Sequence, residues 1–174
     1  GSVNFEKFNF GKLLDEKNIG ESTLLIDFKG VGFDSKNINS SLNAQIGSFN
    51  FNKYIYGNVY FRSSLNDEIL KCSLKSSDKN FKAVMLGEIN MKSSTNKYNF
   101  NSSINFADLN KLNLVKRDSV SIFKGDISLK SNGTSIDNLN GELNLNNSYY
   151  TNENKIFKID DLKIVSHFDD LKNR

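Results

Sequence analysis

His167 and Cys72 are the only histidine and the only cysteine in the chain. A structural zinc site draws its four ligands largely from these residue types, and a disulfide or a Cys-His dyad needs more of them than are present. Cys72 stands between Leu70 and Leu74 on an alternating stretch, which predicts a small buried hydrophobe in preference to a reactive thiol. His167 has the outward parity of the last such stretch, beside Asp169, and reads as a surface residue. Asp160-Asp161 and Asp169-Asp170 are adjacent at strand ends, without the spacing of an acid–base pair, and read as solvated turns. Asn132-Gly133-Thr134 is a turn signal that also spells Asn-x-Thr, and nothing else points to glycosylation. No enzymatic activity, no cofactor and no metal are expected.

Charge adds little. Lys plus Arg is 23 and Asp plus Glu is 20, a net +3. The cations are nearly all Lys, spread along the chain and not interleaved with aromatics, so no nucleic acid is expected as a partner. No apolar run reaches the roughly 18 residues of a membrane-spanning helix, and no signal peptide opens the chain. It opens instead on Gly1-Ser2, which looks like a protease scar. Residues 1-2 are therefore expected to be a tag remnant, and residues 1–174 one fragment of an elongated domain.

The elements that would carry these residues are strands. Apolar and polar residues alternate with period two through Leu24-Ile26-Phe28, Leu42-Ala44-Ile46, Ile55-Gly57-Val59-Phe61-Ser63-Leu65, Leu70-Cys72-Leu74 and Phe81-Ala83-Met85-Gly87-Ile89. Tyr98 to Phe106 alternates without a fault. Phe123 to Leu129, Leu139 to Leu145 and Phe157 to Phe168 follow. A parity flip at Phe49-Asn50-Phe51 predicts a bulge or turn. About nine or ten strands result, and short polar links such as Ser76–Asn80 and Ser131–Gly133 predict an antiparallel meander. Phe5, Phe8 and Leu13 are spaced like the buried stripe of a short helix, as are Leu109 and Leu112 with Asp108 as a cap, so helices are expected over Phe5–Leu14 and Asp108–Leu112.

These two stretches mark an internal repeat. At an offset of 101 residues (106 − 5), Phe5 meets Phe106, Ile26 meets Ile127, Phe28 meets Leu129, Asn37 meets Asn138, Leu42 meets Leu143 and Ile55 meets Ile156. Residues 5–105 form one unit and 106–174 a partial second one. Strands with one apolar face can close into a sandwich or barrel, face lipid as an outer-membrane barrel, or form an open trough. Stacked units extend a sheet without closing it. The expected fold class is thus all-β: an open, curled antiparallel sheet, a β-taco or trough, with one or two short helices and a repeat of about 100 residues.

Phe8–Leu14 (FNFGKLL), Phe106–Leu112 (FADLNKL), Ser121–Gly125 (SIFKG) and Asn138–Leu143 (NLNGEL) resemble the C-terminal half of TamB-type translocation and assembly proteins, in the AsmA-like, bridge-like lipid-transfer group. The Asn/Lys-rich, Pro-free dialect is similar to Bacteroidetes versions, and the likeness runs from about Phe5 to Phe168. The resemblance implies a periplasmic segment of an inner-membrane-anchored parent. It also implies a role in phospholipid transport between the membranes and in outer-membrane biogenesis. The partners it implies are phospholipid acyl chains and, through the parent, the outer-membrane barrel assembly protein of the same module. On this reading the groove is lined by Ile26, Phe28, Leu42, Ala44, Ile46, Val59, Phe61, Leu70, Leu74, Met85, Ile89, Phe100, Ile104, Phe106, Ile127, Leu129, Leu143 and Leu145. The alternative is a chaperone-like scaffold that assembles outer-membrane proteins by pairing their strands with exposed sheet edges. A closed lipocalin-like carrier or a β adhesion module is a third reading.

Overall fold

A computed structural model describes residues 1–32, 38–134 and 138–167. The alternating segments form β1 (Ser2–Asn9), β2 (Ile19–Val31), β3 (Asn39–Phe51), β4 (Tyr54–Tyr56), β5 (Val59–Asn66), β6 (Ile69–Ser77), β7 (Phe81–Asn90), β8 (Asn96–Asp108), β9 (Ser121–Gly133), β10 (Asn140–Asn152) and β11 (Ile156–Ser166), with one helix, α1 (Phe10–Leu14). All eleven strands belong to one sheet. Its order is β1-β2-β3-β5-β6-β7-β8-β9-β10-β11, every pair is antiparallel, and β4 lies off the path against the end of β3. β1 and β11 are the two ends of the order and do not pair, so the sheet is open.

The β1 region departs from the expected helix. Phe5 and Phe8 are in a strand, paired with Leu24 and Ser22, and a register shift lies between them. Lys7, within that bulge, has φ 49°. A bulge inserts one residue, so two apolar side chains three apart replace the usual two. Only Phe10–Leu14 is helical, with Asn9 as its cap: its side-chain carbonyl accepts from Lys12 N at 2.9 Å. The second expected helix is a hydrogen-bonded turn. Lys111 N donates to Asp108 Oδ1 at 3.1 Å and Leu112 N to Asp108 O at 2.9 Å, but Asn113 leaves the helical region at φ 60°. Ile26 and Ile127, 101 residues apart, pair with Ala44 and Leu145, which are also 101 apart, whereas Phe5 pairs with Leu24 and Phe106 with Lys82, and α1 has no helical counterpart.

Other local expectations are adjusted. The parity flip before Phe49 is a register shift that skips Gly47, between the pairs Leu24–Ile46 and Thr23–Ser48. The long run from Ile55 to Leu65 is two strands, broken at Gly57-Asn58, where Asn58 has φ 54°. Ser131–Gly133 ends β9 and is not the turn. Asp160 and Asp161 lie inside β11, not at its end, with Lys158 Nζ 2.6 Å from Asp160. His167 is exposed just past β11. Asn37, Phe168 and Asp169-Asp170 lie outside the described residues.

One edge of the sheet, where β1, β3, β6, β8 and β10 end, is a base built from connections. It carries α1, the β3–β4 turn, the β6–β7 turn, the loop 109–120 and the β10–β11 turn. The buried apolar residues are few and small: Leu24, Ala44, Val59, Ala83, Ala107 and, in the loop, Leu112. Leu24, Val59, Ala83 and Ala107 sit toward this base. Elsewhere each strand's substantial contacts are with its hydrogen-bonded neighbours.

Candidate functional site

The register assembles the alternating side chains into rows that cross the sheet. One row runs Val3, Ile26, Ala44, Phe61, Leu74, Met85, Ser102, Ile127, Leu145 and Leu162, each directly opposite the next. The next runs Phe28, Leu42, Ser63, Cys72, Gly87, Phe100, Leu129, Leu143 and Ile164. Toward the base lies a third, Phe5, Leu24, Ile46, Val59, Ser76, Ala83 and Ile104. Toward the opposite edge lies a fourth containing Leu65, Leu70, Ile89 and Tyr98. Directly paired residues share a face. These four rows therefore make one apolar surface, and seventeen of the eighteen residues expected to line a groove are in it.

Phe106 is the exception. A register shift between Lys82 and Ala83 sets Ala83 opposite Ile104 but Lys82 opposite Phe106. Asn105 is the extra residue, the apolar parity passes to Ala107, and Phe106 falls in the row of Lys82 on the other face. Strict alternation from Tyr98 to Phe106 concealed this, since the bulge lies inside an unbroken pattern.

The apolar surface is half-buried. Ile26, Phe61, Leu74, Ile127 and Leu145 are intermediate in exposure, Phe28 and Met85 are exposed, and the buried members are Ala44, Leu24, Val59, Ala83 and Ser76. Cover comes from neighbours within the rows. Phe100 gives the clearest case: a Cβ added at Gly87 would sit 2.4 Å from its ring and 2.7 Å from Cys72 Sγ. The ring thus lies across the glycine, filling the gap a missing side chain leaves. Cys72 takes its place beneath as a half-buried apolar group.

The opposite face is mostly polar, although it also exposes Leu25, Tyr60, Val84 and Leu86, and its rows pair charges. Lys71 and Glu88 are cross-strand partners with Nζ and Oε2 3.8 Å apart, and Lys163 reaches Glu142 at 2.5 Å. Lys163 beside it holds the Glu142 carboxyl below the usual range.

At the base, residues that the alternation does not single out form two polar clusters. Asp78 is buried and accepts from Tyr54 Oη at 2.6 Å, Gly57 N at 2.9 Å and Asn80 N at 2.8 Å. It ties the short β4 and the start of β5 to the β6–β7 turn. Burial, then the bond to Asp78, pushes the Tyr54 phenol up to about 12, and burial also raises Tyr56. In the second cluster Asp118 accepts from Tyr150 Oη at 2.9 Å and pairs with Arg117 at 3.1 Å, and Tyr150 Oη is 3.0 Å from Ser121 Oγ. The Arg117 bond, with that of Tyr150, lowers the Asp118 carboxyl. Every member of both clusters is spent on holding turns. Among the described residues no group of three His, Cys, Asp or Glu side chains could hold a metal ion, and no helix is long and apolar enough to cross a membrane.

The arrangement is a broad apolar surface backed by a mostly polar one. Comparison with family models, curated proteins and solved structures gives no match to this chain.

Proposed function

We propose that the apolar face is a stretch of lipid-bearing trough, which holds phospholipid acyl chains and supports their passage between the inner and outer membranes as part of a periplasmic, inner-membrane-anchored parent. The observation that carries this reading is the run of apolar rows through ten hydrogen-bonded strands with no second layer packed on them. An apolar patch of that extent in water invites a partner. Each acyl methylene taken out of water contributes about 0.8 kcal/mol, so contact alone can hold a lipid without headgroup recognition. The family resemblance supplies the compartment, the link to outer-membrane biogenesis and the barrel assembly protein as a partner of the parent.

Two measurements test it. A phospholipid with a fluorophore on its acyl chain should bind the 174-residue chain, and Ile127→Asp should weaken that binding at least tenfold, since a buried charge is costly. In the full-length protein, Phe100→Asp with Ile104→Arg should halt lipid supply to the outer membrane. Undiminished supply in a folded double variant would sink the proposal.

A scaffold for outer-membrane protein strands is favoured by one separate observation. The terminal strand β11 has an unpaired side and exposes Leu162, Ile164 and Val165, the condition for strand addition. Photocrosslinkers in β11 and at Ile127 separate the two readings, by capturing nascent barrel strands or phospholipid respectively.

A further inference from the structure

The base edge is chemically unlike the rest of the surface. Leu13 and Leu14 in α1, Ile55 in β4, Leu114 in the loop 109–120 and Ile156 at the start of β11 are each 50 to 71 % exposed. The described turns at the opposite edge carry no exposed large apolar side chain, the β2 end residue Val31 apart. These side chains belong to neither the apolar rows nor the loop's own buried contact, which Leu112 makes.

Cations stand beside them. Lys12 precedes Leu13-Leu14, Lys53 is two residues from Ile55, Lys116 two from Leu114, and Lys155 adjoins Ile156. All four are exposed and none has an ion-pair partner among the described residues. Lys17 and Lys79 add to the same edge. Its acids are mostly engaged. Asp78 and Asp118 are held as described, Asp108 faces Lys111 at 3.5 Å, and Glu153 accepts from Ser119 N, from Ser119 Oγ at 2.5 Å and from Val120 N at 3.1 Å. Asp15, Glu16 and Glu21, which stands opposite the last residue of β1, stay exposed without such bonds.

The segments are also joined. Asn52 N donates to Asn18 O at 2.9 Å, linking the α1–β2 connection to the β3–β4 turn. Asn113 Nδ2 donates to Asn52 O at 2.9 Å, bringing the loop 109–120 onto that turn, and Glu153 fastens the far side of the loop to the β10–β11 turn. The exposed leucines and isoleucines, with their lysines, are thus on one hydrogen-bonded strip and not on separate protrusions.

We propose that this strip docks the sheet edge-on to a bilayer surface bearing anionic phospholipid. Leu and Ile side chains that enter the headgroup boundary, with lysine stems that keep their ammonium groups at the phosphates, are the chemistry such a surface recognises. The strip shares no residue with the apolar rows, so the docking stands whether or not those rows carry lipid.

The test is sedimentation of the 174-residue chain with vesicles of phosphatidylcholine alone, and with one third phosphatidylglycerol. Binding is expected to be at least tenfold stronger to the anionic vesicles and to weaken in high salt. K12E/K53E/K116E/K155E should lose it, and L13S/L14S/I156S should lose at least tenfold while keeping the circular dichroism of the parent. Ile127→Asp should leave vesicle binding unchanged, which separates this docking from acyl-chain capture by the rows. Equal binding to neutral and anionic vesicles, no binding to either, or retained binding in the lysine variant overturns the proposal. So does an oligonucleotide that displaces the vesicles and binds the leucine variant equally well, for that would mark a general polyanion surface.

Discussion

Gly87 and Phe100 test how much the apolar face depends on fit within its rows. Gly87→Ala puts a methyl where the Phe100 ring lies, and the ring must swing off the sheet. The expected loss is about 1–3 kcal/mol, read from urea unfolding. Phe100→Leu added to Gly87→Ala should recover part of it, and additive losses would mean that the two do not share space. Tyr54 gives a pH test. The folded chain holds the Tyr54 and Tyr56 protons more tightly than the unfolded chain, where phenols titrate near 10. The Tyr54 contribution to stability is therefore whole below pH 10 and is lost as pH rises toward about 12, and that of Tyr56 is lost in the same direction. Urea midpoints should fall through that window, and less steeply in Tyr54→Phe. Asp78→Ala strands the donors of Tyr54, Gly57 and Asn80 at any pH, at a cost of about 3 kcal/mol.

Among the connections, the loop 109–120 is tied to the β3–β4 and β10–β11 turns, and Leu112 is its buried side chain, 1 % exposed. Leu112→Ala should cost about 3 kcal/mol, more than the same change at half-buried Leu74, because only the first leaves a closed cavity. Equal losses at the two sites would mean that the loop is not a layer. Element-scale features are also where reading the sequence succeeded and failed. Most strands from β2 onward were legible because one face is largely apolar, so period two survives, although the break between β4 and β5 was not. β1 was not, because the bulge at Lys7 spaces Phe5 and Phe8 by three, and a bulged strand and a helix then present the same pattern. The bulge at Asn105 hid for the converse reason: the residue it moved to the polar face, Phe106, is itself apolar. Asp78 reads as part of the polar link Ser76–Asn80 and Asp118 is not singled out, since partners such as Tyr54 and Tyr150 lie 24 and 32 residues away in the chain.

For the whole molecule, pairing is almost wholly between successive strands, so each strand is held by two neighbours and the end strands by one. Such a ladder is expected to open from its ends. Amide hydrogen exchange should be fastest in β1 and β11 and slowest in β6 and β7, graded along the order. Uniform protection across the sheet would indicate a single cooperative core that the few buried residues do not suggest.

The same absence of any crossover has a mechanical consequence. Pulled from its two termini, the chain would have its load fall on one hairpin at a time, and the hydrogen bonds of each ladder would part in sequence as a zipper does, never all together in shear. The sheet would then lengthen at low, nearly constant tension. Slackening would let the hairpins re-form from the strands still paired, so a segment of this design can give under stretching between two anchored points without losing its folded middle.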